Sequence, residues 1–157
     1  MILNWYGSYN DETLKNDIEF GNGLYLITGK QPYERESTIQ YCGITEGSFY
    51  NRLLSHHKKD DVTEISREYW LAEITYPKRS NRDLLEIAEK IIVYFWQPSL
   101  NEKKKISLPE PTTVINQWFN IEGQPRINQM KIYKELSDVI SWDGEYWRTG
   151  NLKIFNE

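Results

Sequence analysis

A single cysteine, Cys42, stands in 157 residues, so no disulfide can form within the chain. That usage fits a reducing compartment. Histidine is nearly as scarce, and the two present, His56 and His57, are adjacent. Chelation from a helix needs histidines about four residues apart, as in HExxH, so no zinc site is expected. Long apolar runs are missing as well. The longest, "IIVYFW", is far below the roughly 20 residues that a membrane helix needs. The opening "MILNWYGSYN" shows no basic leader ahead of an apolar stretch, so no secretory signal is expected. There is no basic surplus either. The net charge of −4 weighs against a general nucleic-acid coat protein, though not against an enzyme with local basic patches. Repeats and low-complexity tracts are absent. These absences together lead to the expectation of a cytoplasmic protein with no membrane partner.

What the chain does contain is apolar and aromatic mass. Apolar residues make up 39% and aromatics 14%, with six tryptophans and eleven tyrosines. A disordered chain would be poorer in both, and the length suits one domain with a small appendage.

Residues 1–20 read as a mixed, polar N-terminal segment, with a possible short helix in "DETLKNDIEF". "GLYLITG" alternates Leu24, Leu26 and Thr28 with Tyr25 and Ile27 between glycines, which predicts a strand. "TIQYCGIT" predicts a second strand, antiparallel to the first across the polar loop "KQPYERES". "SFYNRLLSHHKK" predicts a helix capped by Ser48. Phe49 with Leu53, and Tyr50 with Leu54, are spaced to share its buried face. "EYWLAEITY" predicts a third strand. "SNRDLLEIAEKIIVYFWQ" predicts a second helix, capped by Ser80 or Asn81 and ended by Pro98.

After "NEKKK" and the prolines of "LPEPTT", the composition shifts. This divides the chain into a core module over 21–105 and an extension over 106–157. The extension is expected to hold a helix, "INQMKIYKELSD", and a hairpin, "GEYWRTGNLKIF". The expected fold class is α+β: a small, central, mainly antiparallel three-stranded sheet flanked by helices in the order β-β-α-β-α, with a small C-terminal α/β extension.

The second helix poses a question. Leu85, Ala88, Ile92 and Trp96 form an apolar stripe, and Glu89 borders it, four after Leu85 and three before Ile92. Glu86 and Lys90 are spaced as an ordinary surface pair. Glu89 has two readings: a boundary glutamate bridged to an arginine, or a carboxylate held for metal binding or acid–base work. On the first helix, Arg52 and His56 are four apart and flank the buried face. By spacing alone that pair is an ordinary helix surface.

In order, Gly23-Leu24-Tyr25, Tyr41-Cys42-Gly43, Arg52 with His56 in "RLLSHHKK", Glu89, and Pro98 with Asn101 in "QPSLN" resemble the GIY-YIG nuclease family. The resemblance covers about Gly21 to Asn101. The loop between the tripeptides is longer than in compact members, and Arg52 falls one residue late. Leu24 and Cys42 replace two isoleucines at positions that alternate away from the tyrosines, where core substitutions are tolerated.

The resemblance implies hydrolysis of a DNA phosphodiester with one divalent metal, Mg²⁺ or Mn²⁺. Glu89 would be the lone protein ligand of that metal, which suits an ion that keeps most of its water. Arg52 would hold the scissile phosphate. Tyr25, with its pKa lowered by Arg52 or the metal, would orient or deprotonate the attacking water, assisted by Tyr41 or His56. Asn101 would fix the site through hydrogen bonds. Three basic patches bracket these residues: Lys58 and Lys59; Lys78, Arg79 and Arg82; Lys103, Lys104 and Lys105. They are the candidate contacts to the DNA backbone. "WDGEYWR" and Trp118 are either base-stacking residues or the extension's own core. One metal site per chain cuts one strand, so a homodimer is a possible working form. The alternative function is a non-catalytic binding or inhibitor module that retains the nuclease fold.

Overall fold

The computed structural model describes residues 1–126 and 137–153. Strand β1 (Ile2–Tyr9) is followed by a 3₁₀ turn (Thr13–Asp17), β2 (Gly21–Gly29), β3 (Thr38–Ser48) and helix α1 (Phe49–Leu54). A second 3₁₀ turn (His57–Asp61), β4 (Glu68–Tyr76) and helix α2 (Arg82–Trp96) come next. The chain then forms β5 (Thr112–Phe119), β6 (Val139–Trp142) and β7 (Trp147–Gly150).

These strands form one seven-stranded mixed sheet in the order β3-β2-β4-β1-β5-β6-β7. The expected small three-stranded sheet flanked by helices is therefore corrected. β2 does lie antiparallel between β3 and β4. But β1, from the segment read as mixed and polar, pairs antiparallel with β4 on one side and parallel with β5 on the other. The sheet runs on without a break into the last third of the chain.

The reason lies in side chains that blur a period-2 pattern. In β1, Leu3 and Trp5 are fully buried, but Asn4, Gly7 and Ser8 dilute the alternation. In β5, Val114, Asn116 and Trp118 face the core together. Asn116 looks like a surface residue in sequence. In the fold its Oδ1 accepts the indole N–H of Trp5 at 2.8 Å, which makes it a satisfied buried group.

The sheet is covered on both faces. One face carries Leu3, Trp5, Leu24, Leu26, Cys42, Ala72 and Trp118 against Leu85, Ala88, Ile92 and Val93 of α2. The other carries Tyr25, Ile27, Tyr69 and Leu71 against Phe49 and Leu53 of α1. Leu24 and Cys42 are thus on the face opposite Tyr25. Trp118 is 4% exposed and stacks on Trp5 at 5.3 Å, while Trp142 stacks on Trp147 at 4.9 Å. Both stacks belong to the sheet's main core.

Helix α1 stops at Leu54, well short of the expected helix through Lys59, and Leu54 is exposed. The expected hairpin near the C-terminus is shifted: its strands are β6 and β7, with Asp143–Tyr146 at the turn. The expected helix "INQMKIYKELSD" lies almost entirely outside the described residues, as does the end of "GEYWRTGNLKIF". No described helix is long and apolar enough to cross a membrane.

Candidate functional site

Tyr25, Tyr41, Arg52, Glu89 and Asn101 line one cavity of about 560 Å³. It lies at the β3 end of the sheet and takes side chains from both faces of that strand.

The tyrosines arrive through strand register. Tyr25 on β2 stands opposite Gly43 on β3, and Ile27 stands opposite Tyr41. Tyr25 and Tyr41 are therefore diagonal neighbours on one face. Their rings lie 6.2 Å apart and nearly parallel. Gly43 makes this possible. A Cβ there would stand 2.5 Å from Tyr25 Oη and 2.9 Å from Tyr41 Cε1, closer than real contacts allow.

Arg52 arrives through α1. Ser48 Oγ caps the helix by accepting the Asn51 N–H, and buried Phe49 and Leu53 seat it on the tyrosine face. Arg52 is left exposed on the cavity side, where its Nε donates to Tyr25 Oη at 3.2 Å.

His56 takes a different place from the one expected. Because α1 ends at Leu54, Arg52 and His56 do not share a helix face. His56 caps the next 3₁₀ turn, its Nδ1 accepting the Lys58 N–H at 3.2 Å. The imidazole is 2% exposed and packs edge-on against Tyr41 at 4.7 Å. Burial, then the charge of Arg52, lowers its pKa from 6.5 to about 4. A neutral ring accepting at Nδ1 carries its proton on Nε2, and Nε2 is buried with no partner among the described residues. His56 does not line the cavity. It supports Tyr41 from behind.

The phenols also depart from expectation. Burial, reinforced by neighbouring Tyr41, drives the Tyr25 pKa well above its usual value, and Arg52 offsets this only in part. Burial and then the charge of Glu89 raise Tyr41 too. Both are protonated at neutral pH, so neither has the lowered pKa that a phenolate base requires. Tyr25 Oη accepts from Arg52 and keeps its own O–H to donate outward.

Glu89 comes from α2, on the other side of β3. Asn81 caps this helix, its Oδ1 accepting the Leu84 N–H at 3.0 Å. Leu85, Ala88, Ile92 and Val93 are fully buried, and this anchoring leaves Glu89 9% exposed at the cavity wall. Its partner is a lysine, not the expected arginine: Lys104 Nζ donates to Glu89 Oε2. Nor do Glu86 and Lys90 form the expected pair, since Glu86 takes Arg82 at 2.9 Å. No group of three or more His, Cys, Asp or Glu side chains able to hold a metal occurs among the described residues. The donor set still fits the implied Mg²⁺. Glu89 is a fixed carboxylate at the wall of a polar cavity, and it already holds one cation, the Lys104 ammonium. A single carboxylate leaves the remaining ligand positions of such an ion to water and phosphate.

Asn101 arrives through the exit from α2. Gln97 ends the helix in the left-handed conformation (φ 48°) and Pro98 prevents its continuation. Residues 100–101 then run along the outer edge of β3. Leu100 N–H donates to Gln40 C=O at 2.8 Å, and Asn101 bonds both backbone groups of Cys42.

Of the basic candidates, Lys58, Arg82, Lys103 and Lys104 line the cavity. Lys59, Lys78 and Arg79 do not, and Lys78 and Arg79 are exposed between β4 and α2. Three of these four candidates are already paired: Lys58 with Glu102 at 2.7 Å, Arg82 with Glu86 and Glu46, and Lys104 with Glu89. Two roles at the site had no signal in the sequence, although Gly43 and Lys104 were themselves singled out. The space at Gly43 required knowing the β2–β3 register. The Lys104–Glu89 pair spans 15 residues through a non-helical loop, a spacing that carries no periodic signal.

No protein-family model, curated protein or solved structure matches the chain.

Proposed function

We propose that the chain is a divalent-metal-dependent endonuclease of the GIY-YIG kind, acting on DNA phosphodiesters. One observation carries this: Tyr25, Tyr41, Arg52, Glu89 and Asn101 line a single cavity, although two strands, two helices and one loop supply them. A binder has no need of that set in one place.

In the reaction, the oxygen of a water attacks phosphorus, the P–O3′ bond breaks with its electron pair left on O3′, and the proton lost by the water passes to solvent while O3′ takes one up. Arg52, fixed by its bond to Tyr25, holds the scissile phosphate with its remaining guanidinium N–H groups. Tyr25 orients the water through its phenol, as a neutral hydrogen-bonding group. Tyr41, backed by His56, keeps the Tyr25 ring in place. Glu89 would hold Mg²⁺ or Mn²⁺, which would offset charge on the phosphate and the leaving oxygen. Lys58, Lys103 and Lys104 lie where a nucleic-acid backbone would enter. The described residues of each chain form one such site, so cutting both strands of a duplex calls for a dimer or two visits.

The test is Mg²⁺-dependent cleavage of single-stranded, duplex and branched DNA. Wild type is expected to cut at least one of them. Glu89→Ala and Arg52→Ala are expected to lose activity while remaining folded. A wild-type protein inert with every substrate and metal removes the enzyme reading. Full activity in Glu89→Ala removes this site.

The paired cations favour a second reading. Lys58, Arg82 and Lys104 are each neutralised by a carboxylate, which weakens the local positive field. A non-catalytic binding or inhibitor module with this fold would bind its partner equally well with and without metal, and Glu89→Ala would leave that binding unchanged.

A further inference from the structure

The Lys104–Glu89 pair differs from the other ion pairs at the cavity. Lys58 and Arg82 bond carboxylates that are largely exposed: the side chains of Glu102, Glu46 and Glu86 are 77%, 58% and 48% exposed. Glu89 is 11% exposed by the same measure, and it is the carboxylate that the nuclease reading gives to the metal. Lys104 reaches it from the loop after α2. Its backbone is left-handed (φ 66°), and the loop is tied back to the helix end. Gln97 Nε2 makes that tie by donating to Tyr94 C=O at 2.7 Å and Lys105 C=O at 3.1 Å. The loop thus holds Lys104 over the site. Lys104 also lines a second cavity of about 330 Å³, beside Glu86 and Glu110, so there is open space next to its side chain.

We infer that Lys104 is a built-in competitor for the metal at Glu89, and that an anionic phosphate in the cavity releases it. The inference rests on the nuclease reading. A cation seated on Glu89 must leave before another can bind there. A phosphate group in the cavity offers Lys104 a second anion, so substrate and metal bind with mutual reinforcement. Without nucleic acid the site holds metal weakly. With it, metal and phosphate are captured together.

The experiment measures Mn²⁺ binding to the full chain by electron paramagnetic resonance, with and without a short DNA oligonucleotide carrying non-hydrolysable phosphorothioate linkages. Wild type, Lys104→Met and Glu89→Gln are compared, with circular dichroism to check each fold. Lys104→Met is expected to bind Mn²⁺ about tenfold more tightly than wild type in the absence of DNA, within the usual range of coupling between sites. Adding DNA is expected to tighten binding in both proteins, because phosphate also supplies metal ligands, and to tighten it several-fold more in wild type, where it also releases Lys104. Equal Mn²⁺ affinity in wild type and Lys104→Met overturns the inference. So does an equal DNA response in the two proteins. If Glu89→Gln binds Mn²⁺ as well as both, the metal assignment of Glu89 itself has failed. If Glu89→Gln loses binding while Lys104→Met matches wild type, only the role of Lys104 has failed.

Discussion

Asn101 satisfies Cys42 at both ends of its amide: Oδ1 accepts the Cys42 N–H at 2.9 Å, and Nδ2 donates to the Cys42 C=O at 2.8 Å. Cys42 lies on the outermost strand of the sheet, next to Tyr41. The pairing stands in for a neighbouring strand at the point where β3 would otherwise present bare backbone groups.

Removing that amide leaves a buried N–H and C=O unpaired. Asn101→Ala is expected to cost about 1–3 kcal/mol and to lower cleavage further by loosening Tyr41. Asn101→Asp keeps the acceptor for the Cys42 N–H but sets a carboxylate against the C=O, so it is expected to rescue neither property. Urea denaturation and cleavage rates on the same variants check this. An Asn101→Ala protein as stable as wild type would show that water replaces the amide without loss.

Gly43→Ala tests the room that the phenols need. A Cβ at this position would stand 2.5 Å from Tyr25 Oη. The ring must shift or the strands must part, at a cost of about 1–3 kcal/mol. Activity is expected to fall more than stability, because the displaced phenol also carries the bond to Arg52. Wild-type activity in Gly43→Ala would mean that the position of Tyr25 does not matter to the reaction.

His56 makes stability depend on pH. Its folded pKa of about 4 lies below its value of 6.5 in the unfolded chain. Between those values the unfolded chain takes up a proton that the folded chain refuses, so stability falls as the pH drops through this window. The contribution is present in full above about pH 6.5 and is lost by about pH 4. Its size is about 3 kcal/mol. Carboxylates titrate in the same window, so the measurable quantity is a difference. Denaturation midpoints of wild type and His56→Phe are expected to converge as the pH falls from 7 to 4. A constant gap across that range would contradict a neutral, buried His56.

Tyr25 bears on the pH–rate profile. Because burial raises its pKa, the phenol keeps its proton throughout the neutral and mildly alkaline range. Tyr25→Phe is expected to lose most cleavage activity and little stability, and no rising limb of the wild-type profile is expected to belong to this group. A limb near pH 8–9 that vanishes in Tyr25→Phe would show that the phenol ionises during turnover after all.

Legibility in the sequence followed how cleanly each period was written. β2, β3, β4 and α2 stood out because branched and aromatic residues alternate, or recur at helical spacing, between glycines and prolines. β1 and β5 were hidden by Asn4 and Asn116, polar residues on strands that run through the middle of the sheet. Whether Asn116 is a surface or a core residue depends on Trp5, which lies 111 positions earlier and is its hydrogen-bond partner. Of the candidate site residues, those on strands and on α2 converge, because register and helix phase are local properties. His56 did not keep its expected position, because α1 ends a turn earlier than its apolar spacing implied and Leu54 stays in solvent. The shifts in the phenols were illegible because they arise from burial, and burial belongs to the whole fold.

The position of β1 has a consequence for how the chain comes together. It is synthesised before any strand it pairs with, and both of its edges are satisfied only much later, by β4 (Glu68–Tyr76) and by β5 (Thr112–Phe119). During synthesis β1 must therefore wait with bare edges, and the sheet cannot close around it until most of the polypeptide has left the ribosome. Tyr25 and Tyr41 sit on strands that can pair early. The far side of the sheet, from β5 to β7, is finished last.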